Sequence, residues 1–134
     1  MDVPRGLVVA ALAVAALGCA GCGSDRDAAA RDVGQRFYAA LQAGDGEGAC
    51  RLLAPGTVEE LEDSAREGCA DAVLEAGVPA PGRTLGATVY GDQGQLRSES
   101  DMAFVAQFPE GWRVTAAGCE PQGTRPYDCA LKGD

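Results

Sequence analysis

Histidine is absent from this 134-residue chain. Its absence removes Ser–His and Cys–His nucleophilic sites, and any zinc centre built on imidazole ligands. Aromatic residues make up only 5% of the chain, so a core has to be assembled from small and aliphatic side chains. Positive charge is in deficit: the formal net charge is −9. An acidic surface repels nucleic-acid phosphates and anionic headgroups, and no basic cluster offsets it. No nucleic-acid partner is expected, and the charge reads as solubility. Phosphate loops are missing too. The glycines at 44–48 and 91–94 have no strand-then-helix context and read as turns. No apolar run is long enough for a comfortable membrane span; Leu7 to Leu17 gives eleven residues, the length of a signal-peptide core.

What surrounds that run gives it meaning. Arg5 and the amino terminus precede it, and Gly18, Cys19, Ala20, Gly21 and Cys22 follow. A short apolar stretch closing on small residues and then Cys resembles a bacterial lipobox. The resemblance implies diacylglyceryl attachment to the Cys sulfur and cleavage just before it. Ala16-Leu17-Gly18-Cys19 and Cys19-Ala20-Gly21-Cys22 compete for the role. Cleavage before Cys22 removes Cys19 and leaves four cysteines, an even number that can pair in an oxidising compartment. Parity therefore favours Cys22, with Cys19 the alternative. An uncleaved anchor over the uncharged span Gly6 to Gly23 is the structural rival; the Gly-rich second half of that span speaks against it. The same Cys-x-x-Cys lies at the end of a signal core and not on a helix packed against a sheet, so a redox site is not expected.

The expected organisation is a signal peptide over 1–21, a short polar tether over 22–27 and a single domain over 28–134. The domain begins with helical periodicity from Ala28 to Ala43, where Val33, Phe37, Ala40 and Leu41 share a stripe. Gly44-Asp45-Gly46 ends this helix. A short helix over Glu47 to Leu53 stops at Pro55-Gly56. Thr57 with Glu60 three residues on matches a capping box, and predicts one helix from Thr57 to about Ala76. From Arg83 the period becomes two. Strands are predicted over 84–90, 95–98, 102–108, 112–117 and 127–132, the last reached through a loop from Glu120 to Pro126. Helices first and an antiparallel meander after is an α+β order, with the helices packed on one face of a curved antiparallel sheet.

Arg36 to Leu41, Cys50-Arg51-Leu52-Leu53-Ala54-Pro55, Val89-Tyr90-Gly91-Asp92, and Gly111 to Val114 before Ala117-Gly118-Cys119 together resemble the small actinobacterial lipoproteins that carry an NTF2-like, cone-shaped domain. Ten arginines against one lysine, with abundant Ala and Gly, fit a GC-rich coding sequence of that kind. The resemblance covers most of the mature chain. It implies a conical pocket between sheet and helices, with Phe37, Tyr38, Tyr90, Phe104 and Trp112 as its candidate lining. It carries no catalytic signature onto particular positions.

Cys50 with Cys69, and Cys119 with Cys129, are the expected disulfides, since each pair joins elements placed side by side by the predicted order. The first closes a loop of about 20 residues and stabilises by roughly 3 kcal/mol on a chain-entropy account. Their wide spacing, without His, argues against zinc. Calcium at Asp45-Gly46-Glu47 lacks the EF-hand spacing; no metal and no cofactor are expected. Tyr38, Tyr90, Asp92 and Asp101 are the only side chains that could serve a carboxylate-or-phenol enzyme on such a fold. Asp in a turn is favoured for local hydrogen bonds, and a lone Trp in an aromatic-poor chain favours a core role. The leading expectation is a non-catalytic domain, lipid-anchored outside the cytoplasmic membrane, that binds a small apolar ligand or an envelope protein. An enzyme acting through a carboxylate or Tyr, and a purely structural lipoprotein, are the alternatives.

Overall fold

The computed structural model describes residues 22–133. The signal peptide and Cys19 lie outside the described residues, and Cys22 enters only as the first residue of a helix. In chain order the elements are α1 (Cys22–Gln42), α2 (Gly46–Arg51), α3 (Pro55–Ala65), α4 (Cys69–Glu75), β1 (Thr84–Tyr90), β2 (Gln93–Ser98), β3 (Met102–Phe108), β4 (Gly111–Gln122) and β5 (Arg125–Lys132). The strands form one antiparallel sheet in the order β1-β2-β3-β4-β5. The fold class is α+β, as the order of periodicities predicts.

α1 buries Ala30, Val33, Gly34, Phe37 and Tyr38, the i, i+3, i+4, i+7, i+8 stripe of a helix lying on a core. Gly34 is where Leu96 of β2 comes closest: a Cβ there would lie 2.1 Å from the Leu96 Cδ1. Gly44, at φ 70°, turns the chain out of the helix, and the Asp45 N–H returns to the Ala40 carbonyl at 2.9 Å, satisfying an end carbonyl. The helix begins earlier than its apolar periodicity suggests. The span 22–27, expected as a short polar tether, is helical, and Arg26 and Asp27 within it find partners on the sheet.

The expected single helix from Thr57 is two helices, and its start is different. Pro55 takes the first position of α3, where a missing N–H costs nothing. Thr57 is therefore inside the helix and buried, and its hydroxyl donates to the Thr115 carbonyl at 2.9 Å. It caps nothing. The chain breaks at Arg66, which is left-handed at φ 57°, and at Gly68, the N-cap of α4. Glu62 Oε1 accepts the Cys69 N–H at 3.0 Å, which satisfies a donor that has no partner within the new helix. Unbroken, the helix would carry Cys69, Ala72 and Val73 away from the core. The break folds α4 back onto α2, where all three are buried.

That packing brings Cys69 to Cys50, and the disulfide between them joins α2 to α4 with a Cα–Cα distance of 6.2 Å. Cys119 and Cys129 face one another in the β4–β5 ladder and form the second disulfide. The stretch expected as a loop before β5 is mostly strand: β4 runs on to Gln122 and β5 begins at Arg125.

On the helix-facing side of the sheet lie Leu96, Ala103, Val105, Val114, Ala117 and Leu131, each below a tenth exposed. They close the core against Val33, Phe37, Leu53, Leu61 and Val73. Register shifts interrupt the β3–β4 and β4–β5 ladders, and such irregularities bend a strand. Beside β4, Leu53 makes a parallel bridge to Val114, with Ala54 N–H to the Val114 carbonyl and Val114 N–H to the Leu52 carbonyl, both at 2.8 Å. The α2–α3 connection thus extends the sheet where β5 has ended.

Candidate functional site

The one buried carboxyl among the described residues belongs to Asp101, in the β2–β3 turn and 8% exposed. It makes the local turn bonds expected of an Asp there. Its Oδ1 accepts from Ser98 Oγ at 2.6 Å, and its N–H donates to Ser98 Oγ at 3.2 Å. It also reaches further. Oδ2 accepts from the Tyr38 hydroxyl at 2.6 Å and from the Gly118 N–H at 2.8 Å. Gly118 stands at φ 65°, a backbone conformation glycine adopts without strain, so its amide can turn onto the carboxyl. Three elements meet at this group: α1 through Tyr38, the β2–β3 turn through Ser98, and β4 through Gly118.

Burial, reinforced by the hydrogen bond to Asp101 and its charge, pushes the Tyr38 phenol far above the ordinary tyrosine range; the Gly118 amide opposes this weakly. Tyr38 is therefore a fixed donor at any physiological pH. Both oxygens of Asp101 are engaged, and no described side-chain oxygen or nitrogen is left buried without a partner. The carboxyl accepts three hydrogen bonds in all, and through Tyr38 the cluster ties α1 to the sheet.

The five aromatics expected to line one pocket are dispersed. Phe37 is fully buried, edge-on to Tyr38 with ring centroids 5.6 Å apart. Tyr90 is 70% exposed at the end of β1. Phe104 is half-buried and meets Tyr127 edge-on at 5.1 Å. Trp112 is half-buried beneath the Arg26 guanidinium, 5.8 Å from its ring centroid. Asp92 is exposed beside Arg26, at 3.9 Å. Asp45 caps α2 by accepting the Gly48 N–H at 2.9 Å, an assignment that accounts for it without a cation.

Openings lie at the surface. The larger, about 380 Å³, runs between the first turn of α3 (Pro55, Thr57) and Phe104, Ala106 and Phe108 of β3. Another, about 210 Å³, lies between the end of α1 (Tyr38, Leu41) and the segment Val78, Pro79 and Pro81. Among the described residues no group of three or more Cys, Asp or Glu side chains could hold a metal ion, and no helix is long and apolar enough to cross a membrane. No protein-family model, curated protein or solved structure matches the chain.

Sequence reasoning named Tyr38 and Asp101 separately but not as partners, and it missed Ser98 and Gly118. Ser98-Glu99-Ser100-Asp101 carries a signal for the local half, a turn in which Ser and Asp side chains can bond backbone and each other. Nothing local marks a contact between residues 63 apart.

Proposed function

We propose that this chain is an exported lipoprotein, cleaved before Cys22 and held by a diacylglyceryl group on that cysteine at the outer face of the cytoplasmic membrane. Its domain is a non-catalytic binding module. The observation that carries the reading is the use of cysteine. Two disulfides consume Cys50, Cys69, Cys119 and Cys129, and disulfides persist in oxidising compartments outside the cytoplasm. The remaining two, Cys19 and Cys22, are the two lipobox candidates that follow the signal core. Helices laid on one face of a bent antiparallel meander support an NTF2-like cone of the actinobacterial lipoprotein kind.

Phe37 and Tyr38, expected to line a conical pocket, are buried in the core, which favours an envelope protein as the ligand over a small apolar molecule. The hydrogen-bonded Tyr38–Asp101 pair, which ties α1 to the sheet, supports the non-catalytic assignment over the carboxylate enzyme.

Expression of the full chain in a bacterium that processes lipoproteins, followed by native and denaturing mass spectrometry of the detergent-extracted product, tests this. The expected species begins at Cys22, carries the diacylglyceryl mass, has four oxidised cysteines downstream and retains no small organic ligand. A secreted product without lipid, or four free thiols, would refute export by this route. A stoichiometric apolar molecule surviving native spray would move the ligand assignment to the small-molecule alternative.

A further inference from the structure

The first helix runs from the proposed anchor into the domain, and this bears on how the domain stands on a membrane. α1 begins at Cys22, and four residues of helix rise only about 6 Å. At that point the helix is clamped to one end of the sheet. The Arg26 guanidinium donates to the Gly91 carbonyl and to Gln107 Oε1, and lies over Trp112. Asp27 Oδ1 accepts the Val89 N–H at 3.0 Å. All of these partners sit at the end of the sheet that carries the β1–β2 and β3–β4 turns. Twelve residues further along α1, Tyr38 is pinned to Asp101 in the β2–β3 turn, at the opposite end and about 18 Å away along the helix axis.

We infer that the anchored domain stands on the end formed by its β1–β2 and β3–β4 turns, with Tyr90 at the bilayer interface, and presents the Val78–Pro81 end outward. This rests on lipidation at Cys22 as proposed above. Tyr90 is 70% exposed at the membrane-facing end, and an amphipathic ring of this kind is at home among headgroups. Asp25, Asp92 and Glu110 surround that end and are exposed; their charge resists deeper insertion. The contact is therefore shallow and set by the clamped helix, not by charge attraction to lipid. The cleft between α1 and Val78, Pro79 and Pro81 then faces away from the membrane, where a partner can reach it.

Energy transfer from a single tryptophan to dansyl-labelled phosphatidylethanolamine in phosphatidylcholine vesicles tests the stance. The lipidated chain is reconstituted in three versions: native with Trp112, W112F with Tyr90→Trp, and W112F with Ala80→Trp. Lipid on Cys22 is confirmed by mass for each. Transfer falls steeply with distance, so it is expected to be severalfold stronger from positions 112 and 90, at the membrane-facing end, than from position 80 at the opposite end. Lipid on Cys22 with equal or stronger transfer from position 80 overturns the stance and leaves the lipoprotein reading intact. Absence of lipid on Cys22 overturns both. Should the substituted chains fail to fold, the native protein decides alone: no transfer from Trp112 to the headgroup probe overturns the stance.

Discussion

Tyr38→Phe removes one oxygen from the interior and leaves the ring in place, so it isolates the hydrogen bond to Asp101. That bond is 2.6 Å long and buried. A bond to a carboxyl group in such surroundings contributes about 1.5–3 kcal/mol, and Oδ2 keeps the Gly118 amide after the change, which places the expected loss near 2 kcal/mol. For a domain of about 110 residues this corresponds to a fall in Tm of about 8 °C. The pH dependence supplies a second, independent readout. Tyr38 is held protonated in the folded state well above its ordinary value. Its contribution is thus complete below the unfolded tyrosine value of about 10 and is lost as pH rises beyond that, by up to about 1.4 kcal/mol per pH unit. The native chain should lose stability above pH 10 more steeply than Y38F, and the gap between them should narrow. Thermal unfolding at pH 7 measures the first, and urea unfolding at 25 °C and pH 7, 10, 10.5 and 11 the second, with disulfides intact throughout. A Tm change under about 2 °C, or parallel alkaline profiles, would refute the claim that this phenol locks α1 to the sheet.

Two glycines distinguish crowding that can relax from crowding that cannot. G34A drives a methyl into the Leu96 side chain, an overpacking cost of about 1–3 kcal/mol that L96A in the same chain should partly relieve. G46A meets the Ala70 backbone carbonyl, 1.9 Å from the new carbon; it should cost at least as much, with no rescue by shortening any side chain, and chemical denaturation of the three variants checks both. Replacing Cys119 and Cys129 together by Ser should lower stability by about 2–3 kcal/mol, seen as an earlier urea midpoint with unchanged far-UV circular dichroism. D27A exposes the Val89 amide on the edge strand β1, and edge strands left open promote association; light scattering at rising concentration should show more self-association than in the native chain.

The strands were the most legible part of the sequence because alternation is local. Expected and observed limits agree at 84–90 and 102–108. Errors arise wherever a distant partner decides. Polar residues 22–27 look like a tether until Val89 and Gly91 are present to receive Asp27 and Arg26. Thr57-Val58-Glu59-Glu60 has the capping pattern, yet the chain enters the helix earlier at Pro55, and Thr57 is spent on the Thr115 carbonyl. The break at Arg66 to Gly68 has a weak local signal in one glycine; its cause is the seat that α2 offers to Ala72, Val73 and Cys69. For the candidate site, the residue types were readable and their pairing was not.

The buried Asp101 carboxyl is held by a phenol, a hydroxyl and a backbone amide. The amide reaches it because Gly118 turns its N–H inward at the irregular stretch of β4. The same turn places Cys119 next in line for its disulfide. One local deviation of β4 therefore serves two fastenings, one to α1 and one to β5. In a chain with 5% aromatics, where burial of large rings cannot supply much of the stability, such fastenings carry a correspondingly larger share. The polar cluster is best understood as the interior counterpart of the disulfides: it joins elements distant in sequence where the core has few large side chains to do so.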